Sequence, residues 1–338
     1  MAEPIIRWGI LGTGTIARLF AAGLAHVADA RLVAVGSRSA ASADRFADEF
    51  GIPRRHPSAE ALAADPGVDI VYIASPHVAH REQSLLCLRA GKAVLCEKPF
   101  TLNAAEAAEV IACARQEGRF LMEAMWTRFY PTMETLRRLL DEGAIGELRA
   151  LSASIGFPAD VDAGHRLLNP ALGGGALLDT GVYPVSFASM LWGAPREMGC
   201  VAEFGPSGVD EQISLVFDHG EGRQTLLLAS LRADTPVEAV LMGTGGCIRL
   251  HRDWYKPTQL SVLPSRGEAR HLEAPLQGNG FNYEASAVTA CLQQGLLEHP
   301  LMPLDETLAI MQTMDRIRAR IGLRYPGEPA SQGDYPGS

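Results

Sequence analysis

Lys98 closes a strand-like run, Ala93-Val-Leu-Cys96-Glu97, and is followed at once by Pro99. An ammonium group held by a rigid X-Pro unit can polarise a carbonyl or stabilise an alkoxide. Far along the chain stands Gly173-Gly174-Gly175-Ala176-Leu177-Leu178-Asp179-Thr180-Gly181-Val182-Tyr183. On a helix, Asp179 and Tyr183 share a face, four residues apart, so a carboxyl and a phenol would project from an otherwise apolar segment. The plainer reading is an N-cap at Asp179 and a buried tyrosine with a satisfied hydroxyl. Pro184 has no N–H to return to Thr180, so the helix is expected to begin close to Asp179 or to bend there.

A third group lies at the start. Gly12-Thr13-Gly14-Thr15-Ile16-Ala17 follows the apolar run Ile5–Leu11. Gly12 suits a tight turn, Gly14 a close approach to a pyrophosphate, and Ala17 close packing of the next helix on the sheet. The second strand ends in Gly36-Ser37-Arg38-Ser39, with no acid until Asp44. NAD sites usually offer an acid there for the ribose 2′-hydroxyl, whereas an arginine fork suits a 2′-phosphate. NADP is therefore expected, with NAD as the alternative. The third strand ends in Ser75-Pro76-His77-Val78-Ala79-His80. These histidines lack nearby carboxylates, which makes a poor metal site, so no metal is expected. A helix start near the cofactor ribose fits them better.

The elements that must position these groups follow from periodicity. Strands are expected at 5–11, 31–35, 68–74, 93–96 and 120–124, with helices at about 15–27, 41–50, 77–90 and 103–116 between them. Such alternation predicts a doubly wound parallel sheet with both faces covered. After Trp126 a helix over 131–142 leads into strands at 148–155, 198–204, 213–217, 224–231, 237–242 and 247–251. Turn signals at Asp218-His-Gly220 and Gly243-Thr-Gly245-Gly246 suggest a mostly antiparallel sheet. Closing helices are expected over 283–298 and 307–320. The division is a dinucleotide-binding Rossmann domain at 1–125, a substrate and oligomerisation domain at 126–326, and a loose tail at 327–338.

Composition excludes other classes. The 338 residues carry a net charge of −9, 47% hydrophobic and 20% charged residues, and no block of like charge. That argues against nucleic acid and anionic membranes as partners. Six scattered cysteines without C-x-x-C fit buried thiols in a reducing compartment, not a disulfide frame or a zinc site. No signal peptide and no uncharged apolar stretch of about 18 residues is read, so the expected location is cytoplasmic.

The motifs G-x-G-x-x-A, S-P-H-x-x-H, A-G-K-A-V-L-C-E-K-P and G-G-G-A-L-L-D-T-G-V-Y, in this order, resemble the Gfo/Idh/MocA oxidoreductases. With Phe120-Leu-Met-Glu-Ala-Met-Trp126-Thr-Arg128-Phe and Tyr183, the resemblance is nearest to the dimeric dihydrodiol dehydrogenases, a subgroup that also oxidises D-xylose with NADP. It runs from about residue 6 to Pro326. It implies that Lys98 contacts the reacting oxygen, Asp179 orients the substrate and Tyr183 is the acid/base. It also implies that Glu97, His77 and His80 line the cofactor, and that Trp126 and Arg128 lie near the nicotinamide or its phosphates. Many relatives have histidine in place of Tyr183. The resemblance further implies an open-faced C-terminal sheet whose bare side pairs in homodimers or homotetramers.

A free tyrosine titrates near pH ~10, too high for an efficient base at neutrality. Lys98 is expected to lower that value and Asp179 to oppose it, so Asp179 is assigned to sugar hydroxyls or to holding Lys98. Phe157, His165, Arg166, Asn169 and Phe281 are candidate walls of a polyol pocket. The resulting reading is an NADP-dependent oxidoreductase acting on a hydroxyl-bearing carbon of a sugar, polyol or cyclic diol. The alternatives are a keto-sugar reductase using the same site, or a dinucleotide-sensing regulator without catalysis.

Overall fold

The computed structural model describes residues 4–162 and 164–328. Residues 329–338, most of the tail expected to be loose, lie outside the described residues. The first half is a six-stranded parallel sheet in the order β3-β2-β1-β4-β5-β6. Its strands are β1 (Ile6–Leu11), β2 (Ala30–Gly36), β3 (Arg54–His56), β4 (Ile70–Ile73), β5 (Ala93–Glu97) and β6 (Leu121–Ala124). The helices between them are α1 (Thr15–Leu24), α2 (Ala40–Phe50), α3 (Ala59–Ala63), α4 (His80–Arg89) and α5 (Ala104–Glu117). A 3₁₀ turn, His77–Ala79, leads into α4. The residues of β4, β5 and β6 are all buried, as a sheet covered on both faces requires. Periodicity misses β3 and α3. Each has at most five residues, and the Arg-Arg-His of β3 is a polar edge that carries no apolar alternation.

The second sheet has eight strands in the order β14-β13-β12-β11-β7-β10-β9-β8, antiparallel except between β7 and β10. They are β7 (Leu148–Gly156), β8 (Glu197–Phe204), β9 (Asp210–Gly220), β10 (Arg223–Ser230), β11 (Ala239–Gly243), β12 (Gly246–Leu250), β13 (Gln259–Pro264) and β14 (Arg270–Glu273). The last two extend the sheet beyond the sequence expectation. The β9–β10 turn sits at Glu221-Gly222, because Asp218–Gly220 still pairs in the ladder. One face is core: Ile213, Leu215 and Phe217 are buried while Val216 between them is half exposed.

The remaining helices are α6 (Pro131–Asp141), α7 (Val182–Trp192), α8 (Phe281–Gln293) and α9 (Leu304–Ile321). α8 packs on α1 and β1, and α9 on α5, so the closing helices return to the parallel sheet. One apolar core therefore runs through both sheets.

Candidate active site

β1 delivers Gly12 to the mouth of the parallel sheet, beside the β1/β4 crossover where the strand order reverses. Gly12 has φ +115°, and a Cβ there would stand 2.7 Å from the Ala74 carbonyl oxygen. Only glycine fits. A Cβ on Gly14 would meet nothing within 4 Å, and among the described residues no side chain caps the start of α1. An open backbone at an uncapped helix N-terminus fits a pyrophosphate. Thr13, Thr15 and Ile16 sit around it and Ser37 closes β2, whereas Arg38 is exposed. Arg38 lines a cleft of about 730 Å³ with Ser58, Arg81 and Arg89.

The second wall is the helix after the glycine run. Its first turn, Leu177–Gly181, is a π-turn, and α7 continues from Val182. The helix thus begins before Asp179, which is no N-cap. In the i→i+5 pattern the Asp179 carbonyl would be served by residue 184, a proline without an N–H. Lys98 takes that place: its Nζ donates to the Asp179 carbonyl oxygen at 2.7 Å and lies 3.7 Å from Asp179 Oδ1. The same ammonium stands 4.8 Å from the centroid of the Tyr183 ring. Arg166 Nη1 donates to Asp179 Oδ1 at 2.7 Å, and Trp126 Nε1 donates to the Tyr183 hydroxyl at 3.2 Å. Ammonium, carboxylate and phenol, 81 and 85 residues apart in the chain, meet beyond the end of β5.

Residues 6–125 match the Gfo/Idh/MocA "Oxidoreductase family, NAD-binding Rossmann fold", and residues 133–249 the Gfo/Idh/MocA C-terminal domain. Mouse trans-1,2-dihydrobenzene-1,2-diol dehydrogenase is 39% identical over 333 residues, spanning 95% of this chain and 98% of the mouse protein. The chain belongs to the Gfo/Idh/MocA oxidoreductase family. The human protein of the same name is 37% identical over 335 residues, 95% of this chain and 98% of its own. Two solved structures share the fold along its length. KijD10, a 3-ketoreductase from Actinomadura kijaniata in complex with NADP and TDP-benzene, has a TM-score of 0.84 at 29% identity, covering 94% of this chain and 98% of that one. The aldose-aldose oxidoreductase of Caulobacter crescentus, complexed with glycerol, has a TM-score of 0.86 at 26% identity, again over 94% and 98%. The protein is an oxidoreductase with an NAD(P)-binding fold.

In this Gfo/Idh/MocA oxidoreductase the electrostatics of the cluster differ from the sequence expectation in one respect. Lys98 does not pull the phenol down. Burial pushes Tyr183 well above the ordinary tyrosine range, and the nearby Glu97 charge adds to the shift. The ammonium lies over the ring and is already engaged by Asp179. Burial alone would raise the Asp179 carboxyl, but Lys98 and Arg166 outweigh it and hold it well below the usual carboxylate range. Asp179 is therefore a fixed anion and Tyr183 a protonated phenol at neutral pH. Glu97, also raised by burial, accepts from the Tyr72 hydroxyl and, through Oε2, from the Lys98 backbone N–H at 3.1 Å. The Lys98-Pro99 peptide is cis.

The other candidate residues divide. His77 is buried, with Nδ1 3.1 Å from the Gly173 carbonyl oxygen, and burial and His80 lower it to about 3. It ties the parallel sheet to the glycine run. His80 lies in the interior, where its ring nitrogens meet the carbonyls of Pro99 and Ser75, both at 2.9 Å. Ser75 Oγ is buried without a partner among the described residues. Arg128 is likewise buried, at 3% exposure. Its Nη1 and Nη2 donate to the Leu301 and Ser186 carbonyls and to Glu306, clamping α7 to α9, while its Nε is buried without a partner among the described residues. Phe281 is core, stacked on Trp126 at 4.3 Å between ring centroids. It backs the tryptophan; it does not wall a pocket. Asn169 caps its own turn by accepting from Ala171 N, and His165 Nδ1 accepts from Leu167 N. Phe157 is exposed just past β7. Two residues near the site carry no sequence signal: Tyr72, inside an ordinary apolar strand, and Tyr255, whose ring lies 5.4 Å from that of Tyr183. Among the described residues no cluster of metal-ligating side chains forms, and no helix is long and apolar enough to cross a membrane.

Proposed function

We propose that the protein is an NADP-dependent oxidoreductase moving hydride between nicotinamide and a hydroxyl-bearing carbon of a sugar, polyol or cyclic diol. The observation that carries this is the meeting of Lys98, Asp179 and Tyr183 at the carboxyl end of the parallel sheet. The bound cofactor supplies the hydride acceptor or donor. Tyr183 exchanges the hydroxyl proton, and Lys98 polarises the reacting oxygen. Asp179 holds the ammonium in place, and Arg166 at the rim binds the same carboxylate. A dinucleotide-sensing regulator would have no use for this set. The protonated state of Tyr183 favours reduction of a keto-sugar as the second reading, because a phenol poised as an acid is ready to protonate a carbonyl oxygen. A screen of pentoses, hexoses, inositols, dihydrodiols and their ketones with each cofactor, followed at the reduced-nicotinamide absorbance, tests both. Failure of every substrate class in both directions would leave only nucleotide binding.

Arg38 is assigned to the 2′-phosphate of NADP. Arg38→Ala is expected to raise the KM for NADP by about 10–100-fold, the loss of one or two charge-assisted contacts, and to leave that for NAD within about twofold. Equal effects on both cofactors would remove the assignment. We further infer that the outer face of β8–β10, where Val201, Val216 and Leu226 are exposed, is covered by a second copy. Sedimentation velocity is expected to show a homodimer or homotetramer, and a monomer at micromolar concentration would exclude this.

A further inference from the structure

The helix that carries Asp179 and Tyr183 starts in a glycine run, which by itself gives it no fixed origin. A residue from the other sheet supplies one. Asp210, the first residue of β9, is fully buried, and its Oδ2 accepts from the Leu177 backbone N–H at 2.7 Å. Leu177 lies in the first turn, two residues before Asp179. The loop approaches so closely that a Cβ on Gly175, at φ +120°, would collide with Asp210 Oδ1. Oδ1 itself has no partner among the described residues. The Tyr325 hydroxyl donates to the Gly174 carbonyl oxygen at 2.7 Å and is a second hold on the same loop.

We propose that Asp210 is a positioning residue for the reaction: it pins the start of the reacting helix to a rigid strand and so fixes where Asp179 and Tyr183 stand. This rests on the roles proposed above for those two residues. The charged and titratable groups facing Asp210 are Arg318 of α9, itself held by Asp315 and Glu328, and Tyr325 beyond it. Burial raises the Asp210 carboxyl to about 7, with the Leu177 N–H and the Arg318 charge opposing it. The ionised form accepts the N–H more strongly and complements a helix N-terminus, so the anchor tightens as pH rises through neutrality.

Asp210→Ala and Asp210→Asn test this, with Tyr183→Phe in parallel. In Asp210→Ala, amide hydrogen exchange at Leu177 and the residues after it is expected to quicken about tenfold. Its kcat should fall by about the same factor, with the KM for NADPH unchanged. Asp210→Asn keeps a carbonyl acceptor, so it should retain exchange protection and most of kcat, but lose the rise in kcat around pH 7 that is expected of the wild type. Wild-type exchange and kcat in Asp210→Ala, or an unchanged pH profile in Asp210→Asn, overturns the proposal. If Tyr183→Phe keeps full turnover, the catalytic reading fails instead, and the exchange at Leu177 alone decides whether Asp210 is the anchor.

Discussion

Tyr183→Phe is expected to lower kcat by about 10²–10⁴-fold, the usual worth of a placed proton donor or acceptor. The change deletes one oxygen. The ring remains over Lys98 and beside Tyr255, so the helix keeps its packing, while the hydrogen bond from the Trp126 indole N–H to the phenol disappears. The KM for cofactor should therefore stay near wild type. The pH profile gives a second check with a definite sign. Tyr183 is raised well above its ordinary value, so in the reduction direction the phenol stays protonated through neutrality and activity falls only beyond the usual tyrosine range. That alkaline limb should vanish from the residual activity of Tyr183→Phe. Steady-state rates across pH, with circular dichroism to show an intact fold, decide it. Full turnover in Tyr183→Phe would end the assignment.

Lys98→Met is expected to lower kcat/KM by about 10²–10³-fold, the scale seen when one preorganised donor to a developing oxyanion is removed. Two effects combine. The reacting oxygen loses its cation, and the Asp179 carbonyl loses the donor that answers it at 2.7 Å. Asp179 also keeps only Arg166 as a strong counter-charge, and Arg166 is half exposed, so burial pushes the carboxyl back up. Because both residues serve one arrangement, adding Asp179→Asn to Lys98→Met should cost little more than Lys98→Met alone. A double variant whose losses multiply would mean that the two act independently. Lys98→Arg is expected to restore only part of the rate, since the bulkier planar guanidinium, stacked on the ring, cannot place a compact charge where the ammonium meets the Asp179 carbonyl at 2.7 Å.

Sequence alone determined the parallel half of the fold except its short β3 and α3, the glycine turn after β1, and which residues, Lys98, Asp179 and Tyr183, stand out as candidates. Each of these is written in local chemistry. Alternating apolar runs fix strands and helices, and Gly12 is demanded by a positive φ that no other residue tolerates. A lysine before proline and a carboxyl four residues from a phenol stand out from apolar surroundings without reference to anything distant. Tertiary structure decided what those groups do to one another. A phenol shifts up or down according to burial and the direction from which a charge arrives, and neither is a property of spacing: Lys98 faces the Tyr183 ring while its proton goes to a backbone carbonyl. Arg128, His80 and Phe281 have the residue types of a binding site, yet the fold spends all three on interior contacts. Asp210 shows the opposite case. It stands 31 residues from Asp179 at the head of an ordinary strand, and only the tertiary fold brings its carboxylate to the first turn of the helix that carries Asp179 and Tyr183, because a cap supplied from another element leaves no trace in the sequence it caps.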